Sequence, residues 1–380
     1  MFKKAITILM ALCLLAGCAG CASTPASGTA ADAPQTGAAA SGTAQADTVT
    51  ITDLYGRQVT LPREIKSIVC TGAGALRMIC YAQAQDLVIG AEDSDKTQTI
   101  KRGYNYVNND IFKDLPSIGK GGGRGYTAYE EEIIALAPDV IFSAYNSEAL
   151  EELASKTGIP VVAITYDSGM FDEKLFQSLE LIGQLLGKQE RCDQLTDALK
   201  AAQQDLSART QDIADADKPT AYSGAVTFSG GHGFEGTYAN FPPFTAIGAK
   251  NVVDETGLDG SLQIDLEKVL VWDPEVIFLD PGNMDLVNEQ YDKNPTYFQS
   301  LQAVQNGEVY SMISYNNYTT NVELAVADAY YAGTVMFPEQ FADIDIEQKA
   351  DELFELFLGK PIYSDMQAAG LSFGKITIGE

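Results

Sequence analysis

A helix-to-strand joint occurs twice in this chain at a fixed distance, and that repeat limits the possible folds more than any other feature. Residues 131–142 read Glu-Glu-Ile-Ile-Ala-Leu-Ala-Pro-Asp-Val-Ile-Phe, and residues 267–278 read Glu-Lys-Val-Leu-Val-Trp-Asp-Pro-Glu-Val-Ile-Phe. The two prolines are separated by 274 − 138 = 136 residues. Each copy is an amphipathic segment that proline stops, followed by a short apolar run suited to a buried strand. A chain that carries the same joint twice is expected to build two lobes on one plan.

Other β-branched runs alternate with helical stretches, the pattern of α/β units around mainly parallel sheets. Strands are expected at 67–70, 87–90, 140–143 and 161–165 in a first lobe. In a second they are expected at 221–228, 276–280 and 309–313. Between the lobes, Leu175, Leu179, Ile182, Leu186, Leu195, Leu199 and Leu206 fall at helical spacing, and Gly187 divides a shorter helix from a longer one ending near Arg209. At roughly 1.5 Å per residue the longer helix can reach from lobe to lobe as one strut, which limits how far the lobes swing. The expected fold is therefore α/β, two Rossmann-like lobes joined by a single long backbone helix, with a cleft between them. The expected boundaries are 49–171 for the N-terminal lobe, 172–214 for the linking helices and 215–380 for the C-terminal lobe.

The start of the chain reads as an address. Lys3 and Lys4 precede an apolar stretch over 5–15 that is too short to span a bilayer, and Ala16 and Gly17 precede Cys18. Residues 1–17 are expected to be an export signal. The run Leu15-Ala16-Gly17-Cys18 resembles the bacterial lipobox, which implies acylation of Cys18 and attachment to the membrane by lipid. Residues 18–48 are rich in Ala, Ser, Thr, Gly, Pro and Gln and are expected to form a lipidated, flexible tether. Beyond it, 52 acidic and 25 basic residues in the whole chain give a formal charge of -27, which repels nucleic acid. Only Cys70, Cys80 and Cys192 remain in the body, and an odd set without a CxxC pair argues against a disulfide framework or a zinc knuckle.

Ligands of open α/β sheets collect at loops beyond the carboxyl ends of the strands. Two glycine-rich loops qualify, 119–126 with Arg124 and Tyr126, and 229–238 with His232 and Tyr238. Glycine lets backbone N–H groups approach an anion, and arginine adds planar donors, although neither loop has the Walker spacing. Arg77, on the helix after the first strand, joins this set. So do Tyr145 and Tyr166 in the first lobe, and Tyr315, Asn316 and Tyr318 after a strand of the second. A single histidine cannot supply a bare-metal site, so no resident metal or cofactor is expected. The pair Tyr330-Tyr331 lies inside a helical run over 322–334, where core packing is the simpler role.

In the order and spacing of these features the body resembles the binding proteins of iron-siderophore, haem, cobalamin and oxyanion ABC importers, whose two lobes share one backbone helix. The matching run begins at Ser67-Ile68-Val69-Cys70-Thr71-Gly72-Ala73-Gly74-Ala75-Leu76-Arg77 and continues through Pro-Asp-Val-Ile-Phe and the linking helix to the end. The resemblance implies a monomer without enzymatic activity, anchored outside the cytoplasm, that delivers its ligand to a permease dimer with a cytoplasmic ATPase. It also implies that Glu131 and Glu267, each seven residues before its proline, dock on basic pockets of that permease. Ligand contacts are expected from Arg77, Arg124, Tyr126, Tyr145, His232, Tyr238, Tyr315 and Asn316. A small anionic metal complex, in first place a ferric siderophore, is the expected cargo. Molybdate or tungstate is the alternative; haem and a corrinoid rank below both, the corrinoid because Trp272 lies in the repeat helix. Two rivals of other classes are a structural surface lipoprotein and a metal-cluster enzyme; the second needs cysteine ligands, and only three cysteines remain without useful spacing, while a Ser-His-Asp enzyme would need a Gly-x-Ser-x-Gly elbow, which does not occur.

Overall fold

A computed structural model of the protein describes residues 47–122, 125–167 and 169–380. The export signal, Cys18, nearly all of the tether and Arg124 lie outside the described residues. None of the described helices is long and apolar enough to cross a membrane.

The chain enters through an antiparallel hairpin, β1 (Thr48–Thr52) and β2 (Gln58–Pro62). Arg57 ties it to the first lobe by donating to the Val161 carbonyl at 2.9 Å. That lobe holds β3 (Ile68–Thr71), β4 (Val88–Gly90), β5 (Val140–Ser143) and β6 (Val161–Ala163). All are parallel, in the spatial order β4-β3-β5-β6. The second lobe holds β7 (Thr220–Gly224), β8 (Gly236–Ala239), β9 (Lys250–Asn251), β10 (Gly260–Gln263), β11 (Val276–Leu279), β12 (Val309–Ser311) and β13 (Gly374–Lys375). Its main sheet runs β13-β12-β11-β7-β9, with β13 alone antiparallel, while β8 and β10 form a separate ribbon.

Taking β7, β9, β11 and β12 as the counterparts of β3, β4, β5 and β6, the two sheets have the same strand order. The repeat predicted from sequence therefore extends to whole lobes, and it reaches backbone detail. Ala137 and Asp273, one residue before the two prolines, both take the left-handed conformation that ends a helix, at φ 48° and 40°. The acid after each proline then clips the neighbouring strand. Asp139 accepts from the Ser67 N–H at 3.0 Å, and Glu275 accepts from the Thr220 N–H at 2.8 Å.

The lobes are joined by helices Glu173–Leu186 and Gln189–Thr210, separated at Gly187 with φ 65° as expected. The second has 22 residues, about 33 Å of rise. Leu195, Leu199 and Leu206 face inward and are almost wholly buried. Tyr330 and Tyr331 are buried in helix Val322–Met336, which settles their role as packing.

The expected C-terminal boundary needs refinement. Helices Ile346–Leu358 and Tyr363–Ala368 lie between β12 and β13 of the second lobe but also pack on the first, against helices Ala75–Tyr81 and Gly103–Phe112. Tyr81 meets Phe357 edge to face at 5.0 Å, and Tyr106 donates to Asp365 at 3.1 Å. One apolar core consequently contains Ile79, Tyr81 and Phe112 with Phe278, Phe354 and Phe357. Cys70, Cys80 and Cys192 are free and buried.

Candidate functional site

The carboxyl ends of the two parallel sheets face a common seam, and a loop of the second lobe, 313–321, fills much of it. The second lobe's wall comes from the ends of β7, β11 and β12 together with β8. Ser223, Gly224, Tyr238, Phe241, Asp280, Met312, Tyr315 and Asn316 line a cavity of about 20 Å³ there, room for one water. A neighbouring cavity of about 30 Å³ is lined by Lys101 of the first lobe and by Thr227, Asp280, Ser314 and Asn317 of the second. Asp280 borders both. Its carboxylate accepts from Thr227 Oγ1 at 2.7 Å, the Gly282 N–H at 2.8 Å and Asn283 Nδ2 at 3.2 Å. Burial raises its pKa against those bonds.

On the first lobe's side the centre is Glu92, fully buried two residues beyond the end of β4. Its carboxylate accepts from the Gly72 N–H at 3.1 Å, the Tyr145 hydroxyl at 3.2 Å and the Thr127 hydroxyl at 3.5 Å. The Tyr318 hydroxyl, arriving from the other lobe, completes the set. Burial first, and then the charge of Asp95, pushes Glu92 up to about 7. Burial and the adjacent Glu92 push the Tyr145 phenol up to about 12. Gly121, at φ 62°, lies where a Cβ would come within 2.8 Å of both Glu92 and Tyr318, so the first glycine-rich loop closes over this contact only because it lacks a side chain.

Arg77 works differently from the sequence-based expectation. Its side chain is wholly buried, and its terminal nitrogens bond to Tyr166 of its own lobe and to two carbonyls of the other, while Nε has no partner among the described residues. Nη1 reaches the Tyr166 hydroxyl at 2.5 Å and the Thr320 carbonyl at 3.0 Å, and Nη2 reaches the Asn317 carbonyl at 2.9 Å. Its guanidinium also lies over the Tyr104 ring, 4.8 Å from the centroid. Thr319 sits against Gly74, where a Cβ would come within 2.7 Å of its methyl. Tyr318 and Thr319 both have positive φ, 57° and 66°, and for a β-branched residue that is a true outlier.

The remaining expected contacts divide. Tyr145, Tyr238, Tyr315 and Asn316 border the seam, as does Tyr318. Tyr126 stands behind it, stacked obliquely on Tyr145 at 5.4 Å and donating to Glu130 at 2.8 Å. His232 lines neither cavity; it is half-buried with its ring edge-on to Phe228 at 3.8 Å and Nδ1 near the Gly231 carbonyl at 3.0 Å. Glu131 and Glu267 are both exposed, each in the first turn of its repeat helix, Glu130–Leu136 and Leu266–Trp272. Glu92, Asp280, Thr127 and Gly72 were not among the ligand contacts expected from sequence. The strand-end rule could have found both acids, but a search directed at donors for an anion passes over carboxylates. Among the described residues no group of three or more His, Cys, Asp or Glu side chains is arranged to hold a metal ion.

A family model described as "Periplasmic binding protein" matches residues 86–315, more than half of the chain. The chain belongs to the periplasmic binding protein family. Among its relatives, the molybdate-binding protein MolA of Haemophilus influenzae is 28% identical over 328 residues, covering 81% of this chain and 90% of MolA. The structure of MolA with molybdate bound superposes with a TM-score of 0.62 at 22% identity, over 82% of this chain and 98% of that one. A periplasmic solute-binding protein of Veillonella parvula gives a TM-score of 0.67 at 19% identity, over 85% and 97%. An uncharacterized ABC transporter substrate-binding lipoprotein, YvrC of Bacillus subtilis, is 23% identical over 276 residues, 70% of this chain and 78% of YvrC. This periplasmic binding protein has the two-lobed fold of those structures.

Proposed function

We propose that this periplasmic binding protein captures a compact metal oxyanion of the molybdate and tungstate class outside the cytoplasm and delivers it to an ABC permease. Kinship with MolA over most of both chains carries the assignment. The seam supports it. The apolar core shared by the lobes resists the wide opening that a siderophore or haem would need. The ferric chelate ranked first on sequence thus becomes the second reading. It keeps one observation in its favour, the hard-oxygen lining of Glu92, Asp280, Tyr145, Tyr238 and Tyr315.

In this proposal Cys18 carries the lipid anchor and no chemistry is performed on the ligand. Glu131 and Glu267 engage two equivalent basic pockets of the permease, matching their equivalent places in the two lobes. Titration calorimetry with molybdate, tungstate, sulfate, phosphate, haem and a set of ferric siderophores tests the ligand. The expected result is one-to-one binding of molybdate and tungstate with Kd on the order of 1 μM or tighter, about −8 kcal/mol, and no heat from the siderophores. A siderophore that binds where molybdate is silent would reverse the order of the two readings.

A further inference from the structure

Glu92 is an unusual occupant for the centre of a ligand seam. Every polar neighbour named above offers it a hydrogen: the Gly72 amide and the Thr127 and Tyr145 hydroxyls from the first lobe, and the Tyr318 hydroxyl from the second. Among the described residues it forms no ion pair with lysine or arginine, while Asp95 adds a repulsive negative charge. Convergent neutral donors in a dry site are what an anionic oxygen needs from a protein. They also stand at the carboxyl ends of β3, β4 and β5, where ligands of such sheets bind.

The second lobe's donor is delivered against the backbone's preference. Tyr318 and the β-branched Thr319 are held at positive φ by the contacts of Tyr318 with Glu92, of Thr319 with Gly74, and of Arg77 with the flanking carbonyls. Successive non-glycine residues in that region cost on the order of 1–2 kcal/mol each. The loop therefore stays in place only while its partners hold it.

We propose that Glu92 is an internal anion filling an inter-lobe oxyanion hole while the cleft is empty, and that an anionic oxygen of the ligand takes its place on the same donors at capture. A buried carboxylate without a cation is a weak occupant, because it regains hydration on swinging out, whereas the entering oxyanion meets donors already in position. The hole selects for anionic oxygen, and it rests on the oxyanion reading above only for the identity of the ligand.

Chemical rescue tests the hole without the natural ligand. In the full-length Glu92→Ala variant, acetate or formate can enter where the carboxylate was. Thermal melts at constant ionic strength should show Tm rising with the logarithm of acetate concentration, by about 2–4 °C when acetate reaches roughly ten times its Kd. Wild type and the volume-conserving Glu92→Gln variant should show no such rise. If the alanine variant is unfolded in chloride, acetate should restore its folded baseline. No rescue, or an equal rise in all three proteins, overturns the proposal. Calorimetry with molybdate separates the two claims: Glu92→Gln should bind it about 10-fold more tightly than wild type, and equal or weaker binding counts against the hole. Rescue by acetate in a protein that ignores molybdate leaves the hole standing and removes only the ligand assignment.

Discussion

Asp328 is fully buried on helix Val322–Met336, and neither of its carboxylate oxygens has a hydrogen-bond partner among the described residues. Burial, with Asp280 adding to it, holds its pKa well above the ordinary range, and the group still lacks a partner. Replacing a buried unpaired polar group by an apolar one of similar size removes its desolvation cost. Asp328→Leu is therefore expected to stabilise the protein by about 1–3 kcal/mol, read as a higher urea midpoint with an unchanged slope; a lower midpoint would show that the carboxyl is engaged. Asp328, Glu92 and Asp280 share a reason for having escaped the sequence reading. An acid in a helix or at a strand end looks the same in sequence whether it meets water or the core, and only the packing of distant segments decides. Arg77 shows a different limit of local reading. Its place near a strand end was read correctly, but its donors went to carbonyls more than 200 residues away, a pairing that local spacing cannot reveal.

Elements were far more legible. The repeated Pro-Asp/Glu joint, the break at Gly187 and the linking helix all rest on local chemistry, proline, glycine and helical periodicity, and the structure has each where it was expected. Four of the seven expected strands ran one to four residues past their observed ends, since β-branched runs continue past the last ladder bond: 221–228 became Thr220–Gly224. The short elements β1, β2, β8 and β10 went unread because antiparallel pairing depends on a partner strand rather than on a buried run of its own. One element boundary gives a sharp test. Gly74 precedes helix Ala75–Tyr81 at φ 92°, and a Cβ there would come within 2.7 Å of Thr319 and 2.9 Å of Tyr166. Gly74→Ala should cost about 2–4 kcal/mol through strain and overpacking, and it should part the lobes. Small-angle scattering is expected to show a larger radius of gyration, and an unchanged radius with unchanged stability would contradict the tight contact.

Across the whole molecule the buried acids act together. Glu92 is pushed up to about 7, and Asp95, Asp280, Glu323 and Asp328 are also raised, burial being the largest cause in every case. An acid whose pKa is higher folded than unfolded holds protons better in the folded state. Its contribution is fully present below its ordinary pKa, 4.5 for Glu92, and drains away as pH rises through about 7. Mutual repulsion within a chain of formal charge -27 acts with the same sign. Thermal melts in constant salt should give a higher Tm at pH 5.5 than at pH 8, and a flat or reversed profile would refute this balance. Helix Ile346–Leu358 covers helices of the first lobe, so the part of the chain made first keeps an apolar face bare until nearly the last residue has been added. A chain cut short before that helix should clump rather than yield a sound half, and a nascent chain waiting to leave the cell is kept from finishing its fold too early.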